Sequence, residues 1–204
     1  MPNIFNYNQT ALGELLVELG HTRFRADQIM RWIYHQHVLD FNAMQNIPKE
    51  LRKILSENFV TTLPKVKSEH VSQCGTIKWL FHMDEKNAVE TVYIPEKNRA
   101  TLCISSQIGC ALACQFCATG LAGFLRNLST AEIITQVFSA QQRVNELTEG
   151  KGKKITNIVF MGMGEPLLNE DNVLSAVDIL LDDLGFGLSK YRVTVSSSGI
   201  VPAI

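Results

Sequence analysis

The sequence lacks the features that would place it in a membrane or outside the cell. No run of apolar residues is long enough to span a bilayer. Residues 1–9 contain neither a basic stretch nor an apolar stretch, so they do not look like a signal peptide. The five cysteines are an odd number and mostly clustered, which argues against a disulfide framework. These absences predict a cytoplasmic protein with reduced thiols.

A marked excess of one charge is also missing. The formal net charge is −1, so no overall basic field indicates nucleic acid as the partner. Any contact with RNA must therefore come from local patches. Hydrophobic residues make up 46% of the 204 residues, which is ordinary for a globular protein with a real core. The sequence contains no internal repeat and no low-complexity segment.

Three of the cysteines fall within one short stretch, as Cys110, Cys114 and Cys117. Thiolates this close can bind one soft metal centre, such as zinc or an iron–sulfur cluster. A closed zinc site or a fully ligated cluster uses four ligands, so three thiols leave one metal position open. Two plainer alternatives are a packed helix face and a zinc site completed by a distant histidine. The flanking Gly109 and Gly120 favour a loop that wraps a ligand.

The apolar pattern divides the chain into three units. Residues 1–62 read as a small helical domain, with helices over about 10–20 and 25–37 and a third that begins at Pro48. Residues 63–95 alternate with period two and predict an antiparallel β-hairpin connector. From residue 96 to 204, strands and helices alternate, which predicts an α/β fold with a partial (β/α) barrel.

Several single residues predict where helices begin and end. Thr10 is a candidate N-cap for the first helix. Ser129 and Glu132 have the spacing of a capping box, which predicts the start of a long helix. Asn169 and Gly185 are candidates for the start and the end of the following helix.

All three strands predicted after residue 96 end in chemically suggestive loops. The first leads to the thiols, the second to Gly162-Met-Gly164-Glu165, and the third to Ser196-Ser-Ser-Gly199. Parallel α/β folds bind ligands at the carboxyl ends of their strands, so these loops predict one site. The glycines would let a ligand approach the backbone, and Glu165 could accept hydrogen bonds from an ammonium group.

The string from Cys103 to Gly120, with its three thiols, resembles the cluster loop of radical S-adenosylmethionine (SAM) enzymes. It is similar, more narrowly, to that of the RNA adenosine-C2 methyltransferases. This resemblance implies a 4Fe–4S cluster on Cys110, Cys114 and Cys117, and two SAM molecules per turnover. It also implies that Gly164, Glu165 and Ser196 contact SAM.

The same resemblance implies two catalytic roles. The segment Val89–Pro95 resembles the family segment that carries the proton acceptor, which assigns that role to Glu90. From the residues alone, Glu90 lies on one strand side with Val92 and Ile94 and is either a solvated edge charge or a desolvated base. Cys103 matches the resolving cysteine that forms a disulfide during turnover. Without the resemblance, Cys103 reads as a buried strand residue.

The substrates implied are 23S ribosomal RNA, at the peptidyl-transferase centre, and the adenosine 3′ of the anticodon in a subset of transfer RNAs. The partner set also includes an electron donor such as flavodoxin, no membrane, and a monomeric enzyme. The methyl-carrying cysteine of the family would lie beyond residue 204. Three core strands would also leave an open sheet edge. We therefore expect an N-terminal portion of a longer protein that cannot methylate RNA alone.

Two other functions stay open at this stage. The first is methylation of adenine at C8 on the same scaffold, because the cluster loop does not separate C2 from C8. The second is a zinc-stabilised RNA-binding module that performs no radical chemistry. Residues 21–37 mix arginines with Phe24, Trp32 and Tyr34, a composition that favours a solvated basic face with core aromatics. The family resemblance instead favours RNA contact by this helical domain.

Overall fold

The computed structural model describes residues 1–112, 114–121 and 123–200. The chain opens with helices: α1 Gln9–Glu18, α2 Phe24–Met30, which continues as a π-helical turn over Arg31–His35, and α3 Lys49–Asn58. The predicted cap of α1 at Thr10 was wrong, because Asn8 accepts the hydrogen bond from the Ala11 amide and Thr10 lies inside the helix. Pro48 immediately precedes α3, which supports the predicted start of that helix.

The described residues form eight strands: β1 Lys65–Val71, β2 Ile77–His82, β3 Ala88–Pro95, β4 Ala100–Cys103, β5 Gln107–Gly109, β6 Phe124–Asn127, β7 Asn157–Phe160 and β8 Val193–Val195. Six of them make one mixed sheet in the order β1-β2-β3-β4-β7-β8. The first four are antiparallel neighbours, while β4, β7 and β8 run parallel. The described part of the sheet is open, so it is the partial barrel that the sequence predicts.

The two predicted hairpin strands are confirmed as β2 and β3, and β1 was not predicted. Most of the residues of β1 are exposed and polar, so the strand lacks the alternation that marks a half-buried strand. The hairpin also continues into the core sheet, because Val92 of β3 pairs with Cys103 of β4. The antiparallel strands therefore extend the same surface that carries the parallel ones.

The remaining helices are α4 Ala118–Leu121, α5 Thr130–Leu147 and α6 Glu170–Leu181. The predicted capping box is confirmed: Ser129 Oγ accepts from the Glu132 amide at 3.2 Å, and Glu132 accepts from the Ser129 amide at 2.9 Å. Asn169 stands at the N-cap position of α6 but makes no capping bond. Its side chain instead donates to the carbonyl oxygens of Ser106 and Leu128, so it joins loops rather than closing a helix.

The two faces of the sheet differ in burial. Trp79, Phe81 and Val89 lie on the buried face, which contributes to the core shared with α5 and α6. Glu90 lies on the opposite face with Val92 and Ile94, as the alternation predicts. That face is the more exposed one.

The N-terminal helices pack directly on the α/β part. The Phe5 ring makes edge contacts with Tyr34 at 5.8 Å and with Phe138 of α5 at 5.6 Å, measured between centroids. The side-chain oxygen of Asn6 accepts from the Ala131 amide at the start of α5, at 2.9 Å. Within the described ranges, no helix combines the length and the apolar character that crossing a bilayer requires.

Candidate functional site

The loops after β4 and β7 are joined by backbone hydrogen bonds at the carboxyl ends of these strands. The Gly162 amide donates to the Ile104 carbonyl at 3.1 Å, and the Ser106 amide donates to the Met163 carbonyl at 2.9 Å. The side chain of Gln107 accepts from the Glu165 amide at 2.9 Å. The structure therefore brings together two of the three loops that the sequence predicts to share a site.

The loop Gly162–Glu165 packs so closely on its neighbour that two of its positions require glycine. A Cβ atom on Gly162 would lie 2.6 Å from Ser105 Oγ. Gly164 has φ +100°, and a Cβ there would lie 2.5 Å from Gln107 Cβ and 2.7 Å from Gln107 N. Both the left-handed conformation and the close approach exclude an ordinary side chain at Gly164.

The Glu165 carboxylate connects this loop to the end of β8. The carboxylate is buried and accepts from the Leu167 amide at 3.1 Å and from both the amide and the hydroxyl of Ser198, at 2.9 and 3.0 Å. Burial alone would raise the pKa of Glu165, but these hydrogen bonds outweigh it and hold the pKa below its usual value. Glu165 is thus an ionised anchor between two strand ends.

Sequence reasoning did not assign Ser198. The three serines after β8 are chemically equivalent in the sequence, and only the path of the chain decides which of them faces Glu165. Ser196, the predicted SAM contact, directly follows β8 and is half-buried. The segments that directly follow β4, β7 and β8 therefore meet, through the hydrogen bonds that Glu165 and Gln107 accept.

The thiol loop is built by tight backbone turns. Gly109 has φ +75°, and any Cβ on it would overlap the carbonyl of Gly123. The Cys110 amide donates to that same carbonyl at 3.0 Å, next to the two-stranded sheet of β5 and β6. The Cys117 amide donates to the Cys114 carbonyl at 3.0 Å. All three thiols are free and half-buried, so this loop keeps them available.

The structure does not gather the three thiols into a metal-binding group. Across the residues it describes, which omit positions 113 and 122, no three His, Cys, Asp or Glu side chains are placed to hold one metal ion. The donor set still fits a soft metal, because thiolates on one short loop are the ligands that iron–sulfur clusters use. Hydrogen bonds from the backbone of Gly120 and Thr119 lower the pKa of Cys117, which favours the thiolate form.

Glu90 and Cys103 lie on the same open face of the sheet, as neighbours on β3 and β4. The Glu90 carboxylate accepts from the Lys78 ammonium at 3.0 Å, and both side chains are about half exposed. Burial raises the pKa of the Cys103 thiol, and the negative charge of Glu90 raises it further. The two residues predicted to remove a proton and to form a disulfide are therefore within electrostatic reach of each other.

Comparison with known proteins assigns both parts of the chain. A family model described as "Ribosomal RNA large subunit methyltransferase N-terminal domain" matches residues 2–61, and the radical SAM superfamily model matches residues 104–203. The curated "Dual-specificity RNA methyltransferase RlmN" of Ruthia magnifica subsp. Calyptogena magnifica is 52% identical over 202 residues. The chain belongs to the RlmN family of radical SAM proteins.

The similarity to other members of the RlmN family covers most of this chain but only part of each relative. The matches to the Ruthia protein and to RlmN of Buchnera aphidicola subsp. Schizaphis graminum, which is 51% identical, cover 99% of this chain and 56% and 55% of those proteins. A solved radical SAM methyltransferase from Sphaerobacter thermophilus has TM-score 0.86 and 38% identity, and the match covers 99% of this chain and 58% of that one. The chain thus spans about half the length of the relatives it matches.

The aromatic residues of the N-terminal helical unit differ in how far their rings are exposed to solvent. Tyr34 is buried against Phe5 and Phe186, so it belongs to the core and does not present its ring to solvent. Phe24 is 61% exposed, and Arg31 beyond it on the same helical segment is exposed as well. Trp32 is half-buried, and its indole nitrogen donates to the Asn46 side chain at 2.5 Å. RNA contact by this surface stays a prediction, and Phe24 has the most exposed ring of the three.

Proposed function

We propose that this chain contributes the cluster-binding and SAM-binding parts of a cytoplasmic RNA methyltransferase that acts on C2 of adenosine. The convergence of three strand-end loops on one site, in a chain of the RlmN family, is the observation that supports it. The substrates proposed are 23S ribosomal RNA and a subset of transfer RNAs. The active form proposed is a monomer that receives electrons from a donor such as flavodoxin.

The residues that would hold the cofactors are those that the sequence predicts. Cys110, Cys114 and Cys117 would bind a 4Fe–4S cluster, which supplies the electron for reductive cleavage of SAM. The bare backbone of Gly164 would let SAM approach, with Ser196 on the neighbouring strand end. Because Glu165 already accepts three hydrogen bonds from the chain, its main task is to fix the Gly164 loop, and any ammonium group would meet a carboxylate that is already oriented.

Glu90 and Cys103 would act on the open face of the sheet. Glu90 would accept the proton that leaves the adenine carbon, and the hydrogen bond that its carboxylate accepts from the Lys78 ammonium at 3.0 Å would orient it for that step. Cys103 would form a disulfide with the cysteine that carries the methyl carbon, and the carbon–sulfur bond to the product would break in the same step, with its electron pair going to that carbon. Burial raises the pKa of the Cys103 thiol, so removal of its proton would precede the exchange.

The first experiment is iron and sulfide analysis with a visible spectrum, on protein purified without oxygen. We expect about four iron and four sulfide per chain, lost in Cys114→Ala. Cys74→Ala is the matched control, because Cys74 is an exposed cysteine outside the loop and its loss should change nothing. Zinc in place of iron would support the alternative of an RNA-binding module and would end the radical mechanism.

The position of methylation needs its own measurement. In cells that make the whole protein, mass spectrometry of 23S ribosomal RNA and transfer RNA nucleosides should find 2-methyladenosine, and Cys114→Ala should abolish it. Detection of 8-methyladenosine instead would contradict methylation at C2 and support the alternative, methylation of adenine at C8. Glu90→Gln should keep iron and sulfide at the wild-type level while reducing the methylated base, because the side chain acts on a proton and holds no metal.

A further inference from the structure

Gln136 of α5 is a buried polar residue that no part of the proposed function uses. Its side chain is completely inaccessible, and every hydrogen-bonding position of its amide has a partner. The oxygen accepts from Thr91 Oγ1 at 2.8 Å and from the Ser105 amide at 2.9 Å. The nitrogen donates to the Ser105 carbonyl at 3.0 Å and to the Glu132 carbonyl at 3.1 Å. This pattern fixes the orientation of the amide.

The partners of Gln136 lie next to the residues of the candidate site. Thr91 follows Glu90 directly on β3, and Ser105 stands two residues after Cys103. The Ser105 hydroxyl donates to the Glu90 carbonyl at 2.7 Å and accepts from the Met163 amide at 2.9 Å. Gln136 and Ser105 therefore connect three segments: β3 at Glu90, the end of β4 after Cys103, and the Gly162–Glu165 loop.

Packing alone does not account for a glutamine at this position. The neighbouring buried positions of α5 include Ile133, Val137 and Val144, which fill the core without polar atoms. Burying an amide is unfavourable unless each polar atom is paired, whereas an apolar side chain of similar size carries no such cost. A fully paired network instead holds its members in one arrangement, because each alternative arrangement would leave a buried group unpaired.

We propose that Gln136 is a positioning residue that sets Glu90, Cys103 and the Gly162–Glu165 loop in a fixed relation to one another. It touches none of the reacting groups and acts through Thr91 and Ser105. The roles of Glu90 and Cys103 rest on the proposed function, but the arrangement itself does not. It can be measured on this chain without cluster, SAM or RNA.

The experiment measures alkylation of Cys103 by iodoacetamide, resolved from the other cysteines by peptide mass spectrometry. Gln136→Leu removes the hydrogen bonds to Thr91 and Ser105, which connect the end of β4 to β3 and, through Ser105, to the Gly162–Glu165 loop. We expect Cys103 to react about tenfold faster, a change equal to that from one pKa unit in thiolate fraction. Exposed Cys74 is the internal reference, and its rate should be the same in every variant.

Val144→Ala is the matched control for stability, because it removes buried atoms from the same helix without touching the network. It should lower the melting temperature and leave the Cys103 rate at the wild-type level. If Cys103 reacts faster in Val144→Ala and Gln136→Leu in proportion to their loss of stability, Gln136 is only a core residue and the proposal fails.

A second pair of variants keeps the test decisive even where Gln136→Leu does not fold. Thr91→Ser preserves the hydroxyl that donates to Gln136, and Thr91→Val removes it at nearly the same volume. We expect Thr91→Val to speed Cys103 alkylation and Thr91→Ser to restore the wild-type rate. Equal rates in the two variants would overturn the proposal. Because no cofactor is needed, a failure of the methyltransferase assay would leave this result standing.

Discussion

At the scale of the residue, substitutions at Gly164 and Gly20 separate the cost of a left-handed backbone from the cost of close packing. Alanine there must adopt φ +100° and also displace Gln107, whose Cβ is 2.5 Å from the added atom. Gly20 is the matched control, because it has φ +80° and an added Cβ meets no described atom within 4 Å. We expect Gly20→Ala to lower the free energy of unfolding by about 1–2 kcal/mol, and Gly164→Ala by a further ~2 kcal/mol. Equal losses in urea denaturation would show that the loop can move away.

The Glu165 carboxylate gives a prediction on pH. Its pKa in the folded chain lies below the ordinary glutamate value of 4.5, so its hydrogen bonds stabilise the fold fully above that value. That contribution falls as the pH drops from 4.5 through the lowered pKa. Glu165→Gln should therefore lose about 2 kcal/mol at pH 7 and approach wild-type stability in acid. The exposed Glu85→Gln is the control, and a Glu165→Gln deficit that persists unchanged into acid would contradict the assignment.

The sequence identified the chemistry at individual residues better than it identified their partners. Glu165 could be predicted as an anion at a strand end, since Gly-Met-Gly-Glu follows an apolar strand. The hydrogen bonds that Glu165 accepts from Ser198 could not be predicted, because three adjacent serines give no signal of which one faces the carboxylate. Gln136 was equally hidden: a glutamine in an amphipathic helix reads as a surface residue until the fold places Thr91 and Ser105 beside it.

At the scale of the element, α5 depends on its capping box. Ser129→Ala removes the acceptor of the Glu132 amide, a loss of about 1 kcal/mol. For a chain of this size, that corresponds to a melting temperature lower by about 2–4 °C. Ser56→Ala is the control, because its hydroxyl only donates to the Lys53 carbonyl on an exposed part of α3. A Ser129→Ala change no larger than that of Ser56→Ala would show that Arg126, which also binds Glu132, holds the helix start alone.

Elements were predictable where burial imposes a pattern. Strands β2 and β3 alternate between a core face and an open face, so period two appears in the sequence. Strand β1 is edge-on to solvent and mostly polar, and β5 and β6 are short strands around the thiol loop. The pairing of β5 with β6 depends on backbone contacts such as the one between Gly109 and Gly123. Such contacts produce no hydrophobic periodicity in the sequence.

At the scale of the whole molecule, the buried apolar side chains of the described residues form one cluster that runs from the N-terminal helices to α6. The single ring of Phe5 contacts Tyr34 in the N-terminal part and Phe138 in α5, and Asn8 donates to the Asp178 carboxylate of α6 at 3.0 Å. The sequence pattern predicts a division at residue 62, but one shared core predicts that both parts unfold together.

That cooperativity can be measured with a single tryptophan. The chain has two tryptophans, and Trp32→Phe leaves Trp79, which is buried in β2 and donates to Glu69 at 2.7 Å. Phe59 packs against Tyr7 within the N-terminal part, and in this background Phe59→Ala should cost about 3–5 kcal/mol. If the molecule is one cooperative unit, Trp79 fluorescence and far-ultraviolet circular dichroism should shift to the same lower midpoint. A Trp79 midpoint that stays in place, while helical signal is lost earlier, would mean that the N-terminal helices unfold by themselves and that the contacts of Phe5 do not couple the two parts.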